Sequence, residues 1–140
     1  MDQPGRAICA GFDASVWTGG GSIGRMRVLM LSWEYPPVMV GGLGRHVHAL
    51  AEAMAAAGHE VTVLTRHPGT PDVPHDEVVA GVRVVRAAED PTKLSFADDL
   101  LAWTMALNHA LTRAGLAICA ERSFDVVHAH DWLVAHAATT

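Results

Sequence analysis

Two cysteines are all the chain has, Cys9 and Cys119, far apart and in no C-x-x-C pattern. That excludes a disulfide framework or a zinc ribbon and makes reduced thiols in a cytoplasmic protein the default. No apolar run reaches the ~18 residues expected of a membrane-spanning helix. A secretory signal is missing too, because Asp2, Pro4, Gly5, Arg6 and Asp13 interrupt any hydrophobic stretch at the N-terminus. Positive charge is sparse and scattered: ten Lys and Arg against fifteen Asp and Glu give a net charge of −5 with histidines neutral. Nothing in that distribution predicts a nucleic-acid footprint.

What the chain does have is apolar mass. Half of its 140 residues are hydrophobic, enough for one domain with a real core. Residues 1–25 stand apart, rich in glycine, without sustained periodicity and ending just before a second methionine, Met26. They are predicted to be a flexible leader, or an upstream start added to a chain that begins at Met26. Gly19, Gly21 and Gly24 satisfy G-x-G-x-x-G, but that fingerprint must follow a strand and open a helix. Here it precedes the first strand, so it is assigned no function.

The domain is organised around residues 26–66. Val28 to Leu31 is a continuous apolar run with the turn signal Pro36-Pro37 soon after, which predicts a strand buried on both faces. From Leu43 the period changes: Leu43, Val47, Leu50, Ala51 and Met54 form the stripe of a helix packed on one face, and Gly58 ends it. Val61 to Leu64 is the next strand. Between first strand and helix lies Gly41-Gly42-Leu43-Gly44, and helix N-termini attract anions through unpaired N–H groups and the helix dipole. Two readings stay open here: phosphate binding, or a glycine turn that only permits tight strand-to-helix packing.

Residues 67–80, with Pro68, Gly69, Pro71 and Pro74, are predicted to form a surface loop. Gly81 turns the chain into a third strand through Val82, Val84 and Val85, closed by Asp90-Pro91. A long helix is predicted from Ser95 or Phe96, with Leu100, Leu101, Met105, Leu107, Leu111, Leu116 and Ile118 as apolar faces and Gly115 as a break or bend. On it, Trp103 is expected in the core and Asn108 at a cap or on the surface. Residues 124–129 read as a fourth strand, followed by His130-Asp131-Trp132 and a helix opening at Leu133 with Asp131 as N-cap. The glycine loop and His130 then both lie at strand carboxyl ends, where open parallel sheets bind ligands. The last helix stops at Thr140 within its first turns, which predicts a fragment of a longer polypeptide.

Nine histidines raise a metal reading. His46, His48, His59, His67, His75, His109 and His136 are expected to be solvated or locally hydrogen-bonded. His128-x-His130-Asp131 puts two imidazoles and a carboxylate together, and alternation along a strand lets both rings face one way. A metal-dependent hydrolase built on His128, His130 and Asp131 is therefore one alternative, although no second cluster supplies further ligands. A non-catalytic glucan- or partner-binding module is another. In the third reading His130 alone faces the cleft and meets a sugar hydroxyl or a reacting centre.

Three motifs in order, S-W-E-Y-P-P after the first strand, GGLGRHVHALAEAMAAAGHEVTVLTR, and DVVHAHDW, resemble the N-terminal domain of retaining GT-B glycosyltransferases. The likeness is to bacterial glycogen and starch synthases and their relatives in glycosyltransferase families 4 and 5, and it covers residues 26–140. It implies a Rossmann-like open parallel sheet as the N-terminal half-domain of a two-domain enzyme. It implies transfer of glucose from ADP-glucose or UDP-glucose to an α-1,4-glucan with retention, with no cofactor and no metal for chemistry. By motif, Gly41, Gly42 and Leu43 match the loop that approaches the donor's distal phosphate. His130 matches the catalytic histidine that contacts the donor sugar, Glu34 the acidic residue on the acceptor side of the cleft, and Asp131 lies beside them. One position departs: classical glycogen synthases carry lysine two residues before the first glycine of the loop, and here it is Met39. Because the partner domain holds the nucleotide, the 140-residue chain is expected to be inactive alone.

Overall fold

The computed structural model describes residues 24–88 and 94–140. Most of the predicted leader, with Cys9, Gly19 and Gly21, lies outside them, as does the Asp90-Pro91 stop. The elements are β1 (Arg27–Ser32), α1 (Gly42–Ala56), β2 (Glu60–Arg66), β3 (Asp76–Val79), β4 (Val82–Ala87), α2 (Leu100–Glu121) and β5 (Val126–His130). A 3-10 turn, Trp132–Val134, and the short helix α3, Ala135–Thr139, follow.

One five-stranded sheet runs β3-β4-β2-β1-β5. β4, β2, β1 and β5 are parallel, and only the edge strand β3 is antiparallel. The central strands are apolar because both faces are covered. Val28 and Met30 of β1 point into one core with Val47 and Ala51 of α1 and Val61, Val63, Val82 and Val84. Leu29 and Leu31, alternating with them, meet Leu64 and the Trp103, Leu107, Leu111 and Ile118 face of α2. The open α/β sheet expected from the sequence is therefore present, parallel in every strand but the edge strand β3.

Four local expectations change. Residues 67–80 are not all loop, because Asp76–Val79 pairs antiparallel with β4, Val79 opposite Val82. The two-residue connection Ala80-Gly81 has φ of 50° and 80°, the paired positive values of a tight hairpin turn. Residues 95–99 form a turn, and α2 begins at Leu100. There Asp99 spends its carboxylate on the Ser95 amide, 3.1 Å away, instead of capping the helix. Gly115 does not break α2, which runs through it; it is buried, and a Cβ there would sit 3.5 Å from Leu64. Lastly, Leu101, Met105 and Leu116 face outward, 74%, 75% and 52% exposed, so the apolar positions of α2 are not one buried stripe.

Candidate functional site

β1 and β5 are neighbours, with Ser32 opposite His130, so the segments that leave them emerge side by side at the carboxyl edge of the sheet. Beyond β1, Trp33 goes into the α2 core and Tyr35 into the α1 core. Glu34 between them is only 3% exposed. Its Oε2 accepts the amides of Val40 at 2.9 Å and Gly41 at 2.8 Å, so this carboxylate shapes the glycine loop from beneath. Ser32 Oγ donates to the Glu34 carbonyl at 2.7 Å. The Pro36 carbonyl accepts from buried Arg86, whose guanidinium also bonds Pro74 and pairs with Glu77 at 2.7 Å. The loop is thus fastened to β1 and β4 before α1 starts.

The three glycines do different things. Gly44 is buried, and a Cβ there would meet Met39 Sδ at 2.8 Å, Glu34 Cβ at 3.1 Å and Glu34 Oε2 at 3.2 Å, so close packing requires this glycine. Gly42 is exposed, and a Cβ there would meet nothing within 4 Å. No packing demand among the described residues explains it. Gly41 is the N-cap in extended conformation, its own amide already taken by Glu34. The amides that the helix start presents outward therefore begin at Gly42 and Leu43, which have no carbonyl one turn earlier to bond.

His130 closes β5 and is 7% exposed, with Nε2 buried and without a hydrogen-bond partner among the described residues. Its ring lies 4.1 Å from that of His128 and 6.0 Å from that of His46, centroid to centroid. Burial first, then the neighbouring His128 and His46, pushes its pKa down to about 4, so the imidazole is neutral at pH 7. Asp131 turns the chain at φ 80°, and its Oδ1 accepts the Leu133 amide at 3.4 Å, the N-cap expected of it. His128 is exposed on the same side of β5. Among the described residues no group of three or more His, Cys, Asp or Glu is placed to hold a metal ion.

Two residues of this region escaped the sequence. His46 is not an isolated surface histidine, because α1 carries it to His130; only the contact across elements reveals that. Asn108 is buried, not capping or exposed: Nδ2 donates to the Thr104 and Leu133 carbonyls at 2.8 and 2.7 Å, and Oδ1 accepts the Ala137 amide at 2.8 Å. It ties α2 to the turn that follows His130. An asparagine among Trp103, Leu107 and Leu111 was the available signal. By contrast His67 and His75 are locally bonded, to Val73 and Arg86 carbonyls, as expected.

Residues 41–140 match the family described as the glycosyl transferase 4-like domain. The chain belongs to that family. A glycogen synthase of Mycobacterium tuberculosis is 59% identical over 122 residues, an alignment covering 81% of this chain and 30% of the relative. The chain thus spans about 30% of the length of that relative. Among solved structures, sucrose-phosphate synthase of Thermosynechococcus elongatus superposes with a TM-score of 0.63 at 24% identity, covering 81% of this chain and 29% of that one. The catalytic domain of starch synthase IV from Arabidopsis thaliana, bound to ADP and acarbose, gives 0.63 at 19% identity with the same coverage. These structures establish the fold as that of GT-B glycosyltransferases. Among the described residues no helix is long and apolar enough to cross a membrane.

Proposed function

We propose that this chain is the acceptor-side, Rossmann-like domain of a retaining α-glucosyltransferase of the glycogen and starch synthase type. In that reading the complete protein moves glucose from ADP-glucose or UDP-glucose to an α-1,4-glucan in the cytoplasm, and a second domain holds the nucleotide. The observation that carries it is the pairing of a buried, unpartnered His130 Nε2 with the open helix start at Gly42. The 59% identity to a protein named glycogen synthase supports the same reading.

The Gly42 and Leu43 amides and the dipole of α1 face the donor's distal phosphate, where negative charge accumulates as the bond to the glucosyl carbon breaks. Gly41 and Glu34 act one step back, Glu34 by holding the loop. His130 is neutral and meets the hexose, while Asp131 fixes the turn beneath it. The test uses the complete protein: His130→Ala should depress kcat at least a hundredfold and leave nucleotide affinity nearly unchanged. Equal losses in both would make His130 a binding residue only. A nucleotide-sugar complex with its pyrophosphate away from Gly42 would overturn the reading.

A further inference from the structure

His46 occupies a particular place relative to the two features just described. It lies one turn along α1 from Gly42, so the two share a helix face. Helical side chains lean toward the N-terminus, over the turn that precedes their own Cα. That habit favours a His46 side chain that leans back toward the start of α1. The ring of His130 is 6.0 Å away and inclined at 65°. His46 is exposed, and its ring has no hydrogen-bond or ion-pair partner among the described residues, unlike its neighbour His48, which pairs with Glu52 at 3.2 Å. An imidazole in the first turns of α1 thus neighbours the buried ring at the end of β5.

We infer that His46 is a further ligand of the donor site, giving an N–H to an oxygen of the distal phosphate of a nucleoside diphosphate. A ligand spanning from the Gly42 amide to His130 has its phosphate–hexose junction beside His46, within reach of a ring nitrogen. An imidazole N–H adds a side-chain donor there beside the backbone amides. The Met39 position offers no cation to this loop, and Arg86 is already engaged by Glu77 and two carbonyls. This inference rests on the proposed function, and the two fail differently.

The test is calorimetric titration of the complete protein with ADP, UDP and AMP. His46→Ala is expected to weaken binding of the diphosphate that the wild type binds by about tenfold, a typical loss for one hydrogen bond to a charged group. AMP, which lacks the distal phosphate, should be unaffected, and His46→Arg should restore most of the diphosphate affinity. Because His46 is exposed, the thermal midpoint should not move. Unchanged diphosphate affinity in His46→Ala, or equal loss for AMP and the diphosphate, would overturn the inference while leaving the proposed function standing. A wild-type protein that binds neither diphosphate would overturn both.

Discussion

Glu34 and Gly44 touch across the start of α1: a Cβ on Gly44 would lie 3.1 Å from Glu34 Cβ and 3.2 Å from its carboxylate. Met39, the third neighbour, can swing its thioether away, but Glu34 is held by two loop amides and cannot. Gly44→Ala should therefore cost about 1–2 kcal/mol, as overpacking exceeds the ~1 kcal/mol that alanine adds to a helix. Gly42→Ala, in open space, should leave the chemical-unfolding midpoint unchanged or raised. Only its nucleotide-sugar affinity should fall, which separates a packing glycine from a ligand-facing one by denaturation and titration of the same two variants.

The same carboxylate makes a second prediction. Glu34→Ala removes the acceptor for the Val40 and Gly41 amides, and the loop loses its support from below. The expected cost is about 2 kcal/mol in urea unfolding, with faster amide exchange at Val40 and Gly41. Glu34→Gln keeps one acceptor oxygen and should lose roughly half as much.

Asn108 should be among the costliest single positions in the domain. Asn108→Leu leaves the Leu133 carbonyl and the Ala137 amide buried without partners, at about 3 kcal/mol for the two together. Asn108→Asp keeps an acceptor for Ala137 but sets a carboxylate oxygen against the Leu133 carbonyl, so it should not rescue stability. Both variants are read by urea midpoints.

The parts of this arrangement legible in the sequence are those that repeat along one element. β1, α1 and β2 follow from a run, a stripe and a second run. Asp131 as N-cap and His130 at a strand end follow from adjacent residues. What stayed hidden depends on contacts between elements. β3 is an edge strand whose Asp76 and Glu77 carry no apolar alternation; its partner β4 and the positive φ at Ala80 and Gly81 define it. The outward turn of Leu101 and Met105 follows from the face of α2 that packs on the sheet, which carries Trp103, Leu107 and Leu111. Glu34 reads as a cleft carboxylate until the loop folds back over it, and exposed His46 reads as isolated until β5 brings His130 alongside.

Asp131 carries a conformational cost that its neighbours impose. A φ of 80° with ψ 153° is a region that L residues rarely adopt, at about 1–3 kcal/mol. Its cap to Leu133 is long at 3.4 Å and returns little of that. Asp131→Gly removes the strain and loses only a few tenths of a kcal/mol of capping, so the protein should become about 1 kcal/mol more stable. Asp131→Ala keeps the strain and loses the cap, and should be destabilised by about 0.5 kcal/mol, the low end for a lost cap. Thermal or urea unfolding of the pair checks the opposite signs.

The titration of His130 has a definite sign. In the unfolded chain its imidazole takes a proton near pH 6.5, whereas in the fold burial and the facing His128 and His46 hold that event down to about 4. Between those values the unfolded state binds the proton and the folded state does not, so stability falls as pH drops from about 6.5 to about 4. Above 6.5 both states are neutral, and His130 contributes no slope. Below 4 both are charged, and its contribution levels off at its lowest value. His130→Gln has no proton to take, so the difference between wild-type and variant unfolding free energies should be flat above pH 6.5. It should then move against the wild type through the acid window. The same neutrality bears on rate: kcat/KM of the complete protein should show no inflection from His130 between pH 5 and pH 9. An inflection in that range that survives His128→Gln would count against a His130 that stays neutral through catalysis.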